Sequence, residues 1–136
     1  MTVTRRPFGT LPSGQGVEAI LLALPSGVRA EILTFGATLR SLMIPDASGV
    51  IEDCTLGHDD LQGYLATRSY FGATIGRFGN RIDGGKFTID GESYAILAND
   101  GPHALHGGPD GFDRRNWRVV ETGGDADPFV TLELIS

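Results

Sequence analysis

Proton transfer near neutral pH falls first to histidine, and this sequence has three, His58, His103 and His106. His106 is the strongest candidate. It stands in Leu105-His106-Gly107-Gly108, where two glycines let a backbone approach a ligand closely. The motif lies within residues 98–113, a stretch rich in Gly, Pro, Asn and Asp. A loop of that length is uncommon in a compact domain unless it serves a function; a solvated loop histidine is the competing reading. The second cluster is Gly76-Arg77-Phe78-Gly79-Asn80-Arg81-Ile82. Arg81 offers a rigid fork of donors, and Asn80 both donates and accepts. Such a pair suits sugar hydroxyls, each of which is donor and acceptor. The plain alternative is a turn whose arginines pair with surface carboxylates.

Other constellations are weaker. Cys54 and His58, with His103 and His106, have the residue types of a four-ligand zinc site, but two distant loops would have to converge. Asp59, Asp60, Asp100, Asp110 and Asp113 flank the loops and could supply a glycosidase pair; loop aspartates are mostly turn formers and caps, and they are read here as solvated structure. No phosphate-binding GxxxxGK[ST], no GxGxxG opening a helix and no GxSxG nucleophile elbow occurs.

The elements that must position these residues are short strands. Glycine makes up 20 of 136 residues, about twice its usual share of ~7%, and it punctuates rather than repeats, which predicts many tight turns. Residues 17–24 and 28–35 read as two strands around Pro25-Ser26-Gly27. In the second, Val28, Ala30 and Ile32 are expected on a dry face and Arg29 and Glu31 on a wet one. Further strands are expected at 50–56, 70–75, 117–121 and 129–135, and one short helical turn within 58–65. Asp90-Gly91 between two strand-forming runs is a type I′ hairpin signature over residues 86–97. The sum is about eight strands and no helix of ten residues, hence an all-β fold of sandwich or barrel type, with no internal domain boundary. The final VTLELIS stops inside a strand pattern, so residues 1–136 are expected to form a single incomplete domain whose open strand edges favour aggregation.

Composition narrows the partners. The net charge is −6, from 11 Lys and Arg against 17 Asp and Glu. An acidic chain repels phosphate backbones and anionic lipid, so neither nucleic acid nor membrane is expected. One cysteine, Cys54, precludes an internal disulfide and is compatible with a reducing compartment. The N-terminus has no signal-peptide pattern, and the apolar stretch 19–25 is far short of the ~20 residues of a membrane helix. A soluble, cytoplasmic protein that takes a small neutral or cationic ligand is the expectation.

Three runs in this order, FGATLRSLMIPDASGVIEDCTLGHDDLQGYL, YFGATIGRFGNRIDGGKFTIDG and NDGPHALHGGPDGFDRRNW, resemble the aldose 1-epimerase (galactose mutarotase) family across residues 33–117. The resemblance implies the N-terminal part of a large antiparallel β-sandwich, the galactose mutarotase-like supersandwich, with an open cleft for aldohexoses such as glucose and galactose. It implies that Asn80 and Arg81 contact sugar hydroxyls and that His106 binds substrate. Gly79 stands where the family often has Ala, and His103 where Asn is common. The family's proton donor, a second histidine, and its base, a glutamate, come from a later part of its chain, beyond Ser136, and no residue here matches them. The implied reaction is anomer interconversion: a base takes the anomeric hydroxyl proton while an acid protonates the ring oxygen, and the opened sugar rotates and recloses. No metal or organic cofactor enters that scheme. Binding residues alone supply orientation and not proton transfer, so the expectation is a sugar-binding portion that is inactive by itself; the alternatives are a non-catalytic carbohydrate-binding module of the same fold and a zinc-stabilised structural domain.

Overall fold

A computed structural model of the chain describes residues 2–124 and 126–136. Five strands, β1 (Thr2–Thr10), β2 (Gly16–Ala23), β3 (Arg29–Leu33), β4 (Thr38–Pro45) and β5 (Ile51–Asp53), form one antiparallel meander in chain order. Three of its four turns share one local solution. In Leu11-Pro12-Ser13-Gly14-Gln15, Leu24-Pro25-Ser26-Gly27-Val28 and Asp46-Ala47-Ser48-Gly49-Val50, the glycine N–H returns to the first carbonyl and the first N–H donates to the last carbonyl. The glycine has φ of 87–94° in all three. A turn closed by a left-handed residue matches the twist of the flanking strands, and glycine takes that conformation without a Cβ clash. In the third turn the Asp46 carboxylate accepts from the Ser48 hydroxyl and the Ser48 and Val50 N–H groups, and these bonds, led by the Ser48 hydroxyl, hold its pKa below the ordinary value.

A short helix, α1 (Leu61–Ala66), lies over one face of the sheet, its first turn capped by Asp60, which accepts from Gly63 N–H at 2.9 Å. Leu61 and Tyr64 of α1 join Val17, Ala19, Leu33 and Phe35 in the core, with Phe8, Leu11 and Leu65 at its margin. Leu33 is fully buried, and truncating such a leucine to alanine costs about 2–5 kcal/mol. Gly9 sits where a Cβ would strike Leu61, so the helix rests directly on the β1 backbone.

The remaining strands form two-stranded ribbons: β6 (Arg81–Ile82) pairs with β9 (Ala104–Leu105), β7 (Lys86–Ile89) with β8 (Glu92–Ala95), and β10 (Arg118–Gly123) with β11 (Phe129–Glu133). Asp90 and Gly91 both have positive φ, 51° and 83°, so the hairpin has the turn its sequence announced. The chain rejoins the sheet through Trp117 N–H to Thr34 O at 2.8 Å and Gly36 N–H to Arg115 O at 2.7 Å.

Two expectations are corrected, and one strand is added that was not expected. β1 is a nine-residue strand although Pro7 and Gly9 lie within it; it is an edge strand, where a missing N–H is tolerated, and its register shifts between Pro7 and Gly9. Residues 70–75 form no strand; Tyr70 and Gly72 take left-handed φ of 57° and 61°, which breaks extension. Glu31 is buried, not wet: Arg6 binds both its carboxylate oxygens at 2.8–2.9 Å and Arg40 binds Oε1 at 2.7 Å, so two guanidinium groups replace its water. The all-β class holds, with α1 the one α-helix among the described residues.

Candidate functional site

The β6–β9 ribbon brings the two motifs together. Arg81 pairs with Leu105 and Ile82 with Ala104. One step further along each strand, Asn80 and His106 face each other and hold each other twice: His106 N–H donates to Asn80 O at 3.0 Å, and Asn80 N–H donates to His106 Nδ1 at 2.9 Å. Both residues have left-handed backbones, φ of 61° and 49°. Asparagine and histidine are among the non-glycine residues that best tolerate this region.

The second bond fixes the imidazole tautomer. Nδ1 must offer its lone pair to Asn80, so the proton of the neutral ring sits on Nε2. Nε2 has no hydrogen-bond partner among the described residues. Arg81 donates from Nε to Asp100 Oδ2 at 2.6 Å and from Nη1 to Asn80 Oδ1 at 3.4 Å, with its side chain about half exposed. The ribbon end therefore presents three donors, His106 Nε2–H, the Asn80 amide and the outer Arg81 N–H groups, beside one committed carboxylate. That arrangement suits a polyhydroxylated neutral ligand, whose oxygens accept from all three.

A second layer holds this edge. The Asn99 side chain acts as a short strand segment: its amide donates to Leu105 O at 3.0 Å and its Oδ1 accepts from Leu105 N–H at 2.7 Å. The Tyr70 ring meets the His106 ring edge-on at 4.8 Å, and Arg68 lies over Tyr70 at 5.1 Å. Arg68 binds Asp113 in a bidentate pair at 2.8–2.9 Å and also donates to the carbonyls of Gly108 and Pro109. Asp113 is buried, which corrects its reading as a solvated turn residue. Its hydrogen bond raises the Arg68 pKa above the usual value, so the guanidinium stays charged. Burial pushes the Tyr70 phenol up against the opposing pull of Arg68, so it stays neutral.

Close backbone packing completes the loop. Phe112 N–H donates to Gly76 O at 3.1 Å. A Cβ at Gly107 would overlap that same Gly76 oxygen, and a Cβ at Gly76 would enter the Phe112 ring. The Gly-Arg-Phe-Gly-Asn-Arg and His-Gly-Gly motifs touch because both are glycine at the contact. Against this packing lies an open apolar cleft of about 720 Å³, lined by Gly76, Gly107 and Phe112 with Phe78, Ile82 and Leu97 among others. Asn80, Arg81 and His106 do not line it.

The other histidines go elsewhere. His103 Nδ1 lies 3.0 Å from Asp83 Oδ1 and 3.2 Å from Gly84 N. His58 packs between Tyr64 and Phe71, with Nε2 at 3.2 Å from Thr67 Oγ1 and 3.3 Å from Ser69 Oγ. The Cys54 thiol lies 4.0 Å from the Glu52 carbonyl oxygen. Among the described residues no three His, Cys, Asp or Glu side chains gather as metal ligands, so the zinc constellation does not form. No described helix is long and apolar enough to cross a membrane. Tyr70, Asn99 and Arg68 were not singled out from sequence; the one signal available was their proximity to the two motifs.

An all-β chain with a donor-lined ribbon end is the class that fold and site define. The aldose 1-epimerase family model matches residues 18–136, and the chain belongs to that family. It is 42% identical to galactose mutarotase of Bos taurus over 125 residues, covering 90% of this chain and 36% of that protein. An aldose epimerase homologue from C. elegans of known structure superposes with a TM-score of 0.72 at 41% identity, covering 76% of this chain and 32% of the other. Galactose 1-epimerase from Lactobacillus acidophilus shares the fold, with a TM-score of 0.76 at 24% identity over 91% of this chain and 35% of that one. The chain spans about a third of the length of the curated relatives it matches.

Proposed function

We propose that this chain is the sugar-binding part of an aldose 1-epimerase, in which Asn80, Arg81 and His106 hold an aldohexose such as glucose or galactose for acid–base ring opening. The observation that carries the reading is the doubly bonded Asn80–His106 pair, which sets a histidine N–H beside an arginine and an amide at one ribbon end. His106 Nε2–H donates to a sugar oxygen, while Asn80 and Arg81 fix the hydroxyls on the same side. Orientation of this kind lowers a barrier only when an acid and a base flank the anomeric carbon. The carboxylate nearest these donors, Asp100, is engaged by Arg81. Proton transfer at the anomeric centre is therefore assigned to a histidine and a glutamate of the kind the family resemblance places later in the chain. In this reading residues 1–136 make one incomplete epimerase domain that works without a cofactor.

A non-catalytic carbohydrate-binding module is the second reading, favoured by the same donor-rich, base-poor edge. Two measurements separate the cases. Titration with D-galactose, followed by amide NMR, is expected to shift Asn80, Arg81 and His106 with weak affinity. Polarimetry of freshly dissolved α-D-galactose is expected to show mutarotation no faster than buffer with this chain alone. Fast mutarotation would place a working acid and base within residues 1–136 and overturn the division of labour. Shifts confined to other residues would remove the trio from the site.

A further inference from the structure

We infer that Tyr70 is a positioning residue for His106: its ring holds the imidazole in the orientation that keeps Nδ1 on Asn80 and leaves Nε2–H for the ligand. The inference rests on the sugar-site reading above and deepens it.

Backbone strain points to it. Among the described residues five other than glycine have positive φ: Ala37, Tyr70, Asn80, Asp90 and His106. Asp90 belongs to a hairpin turn that requires it. Tyr70, Asn80 and His106 meet at one place, since Asn80 and His106 share two hydrogen bonds and the Tyr70 and His106 rings touch. For a bulky aromatic residue φ of 57° is an outlier, and such conformations persist only where the surroundings over-determine them. Here they do. Tyr70 O accepts from Ala73 N–H at 3.2 Å, Arg68 covers the ring, and the Asn99 amide lies 3.5 Å from the phenol oxygen. That same amide grips Leu105, the residue before His106. Tyr70 is thus tied to the His106 ring directly and to the His106 backbone through one intermediary.

The consequence is rotational. Turning the imidazole by half a turn about its Cβ–Cγ bond would exchange Nδ1 for a carbon, leaving the Asn80 N–H without its acceptor. The hydrogen bond opposes that turn, and so does the Tyr70 ring edge. Without the ring, one hydrogen bond at an exposed position remains, and such bonds are modest.

The test uses the 136-residue chain with side-chain nitrogen labelling of histidine. Wild type is expected to show His106 as a single neutral tautomer with an unprotonated Nδ1. Tyr70→Phe keeps the ring and should keep both the tautomer and the galactose affinity. Tyr70→Gly relieves the left-handed backbone, so folding is favoured locally while the ring is lost. It should give mixed His106 tautomers and about tenfold weaker galactose binding. A folded Tyr70→Gly chain with wild-type tautomer and affinity would overturn the inference. So would a Tyr70→Gly chain that does not fold, because the ring would then be a structural prop. A wild-type chain that binds no galactose would sink the sugar-site reading instead, and the tautomer comparison would still decide whether Tyr70 positions His106.

Discussion

His106 does two jobs with two nitrogens, and they can be separated. Asparagine places an oxygen near Nδ1 and tolerates a left-handed backbone, whereas glutamine places its amide near Nε2. His106→Asn should therefore keep the bond from Asn80 N–H and stay within about 1 kcal/mol of wild-type stability, yet lose the donor and weaken sugar binding about tenfold. His106→Gln should be the less stable of the two. Urea titration of both variants beside a galactose titration reads the split, and equal loss of stability would show that Nδ1 contributes nothing. Arg81→Ala removes the outer donors and should lower sugar affinity about ten- to hundredfold, or ~1.4–2.8 kcal/mol. Unchanged affinity would take Arg81 out of the site. Residue types alone raised His106, Asn80 and Arg81 as candidates beside plainer readings, because donors near glycines are visible in sequence, and the family resemblance gave them their expected roles. The reciprocal bonds were not visible, since they require left-handed φ at two residues that usually avoid it. The same blindness hid Tyr70.

The ribbon that aligns these residues depends on glycine at one point and is indifferent to it at another. Gly107 has φ of 90°, and a Cβ there would overlap the Gly76 carbonyl oxygen. Backbone cannot swing away as a flexible side chain can, so Gly107→Ala should cost at least ~2 kcal/mol through strain and clash. Gly79, one residue before the Asn-Arg pair, has open space around its Cβ position and no positive φ. Gly79→Ala should be neutral or stabilise by about 0.4–1 kcal/mol by restricting the unfolded chain, in keeping with the alanine the family often has there. Thermal melts of the two variants check both, and a melt for Gly107→Ala as high as wild type would refute the close packing. At the sheet's other end, burial pulls the Asp53 carboxyl up, but hydrogen bonds from Thr55 and Leu42 and the nearby Arg40 outweigh it and leave its pKa below the ordinary carboxylate value. A depressed pKa stabilises the fold above the unfolded value and loses that contribution as pH falls through the folded one. Protection of the Leu42 and Thr55 amides against exchange, relative to their intrinsic rates, should accordingly fall below about pH 4, and Asp53→Asn should abolish that acid step. Hairpins were legible because turn chemistry is local: Asp90-Gly91 and Pro25-Ser26-Gly27 each specify their own geometry. β1, by contrast, gave no strand signal, because Pro7 and Gly9 interrupt it and only an edge position tolerates them, and the buried Glu31 reads as exposed until Arg6 and Arg40 arrive from two other strands.

For the whole molecule, the sequence announced an all-β class through glycine punctuation and short alternating runs, and nothing in those signals says how much of its apolar surface the chain covers by itself. The core is small: among the described residues Val17, Ile20 and Leu33 are the largest fully buried side chains, and Ile20 stands outside the cluster under α1. Meanwhile Ile89, Tyr94, Leu97, Val120, Phe129 and Ile135 are exposed, mostly on the two later hairpins and their flanks, and the apolar cleft stands open beside them. Scattered exposed apolar residues are ordinary, but contiguous patches beyond a few hundred Å² are not. The net charge of −6 opposes association by repulsion, and salt screens that repulsion within about 10 Å at 0.1 M. Two consequences follow from setting these terms against each other. The folded chain should bind an anionic hydrophobic dye such as ANS despite its negative charge, because the cleft supplies a low-polarity surface. It should also sediment as a monomer at low ionic strength and self-associate as salt is raised. Placing a negative charge in the cleft wall, as in Leu97→Glu, should reduce both dye fluorescence and salt-driven association, with little loss of stability because Leu97 is 73% exposed. Dye fluorescence unchanged in Leu97→Glu would move the apolar surface away from the cleft, and monomers at every salt concentration would show that the exposed strands carry enough protection of their own.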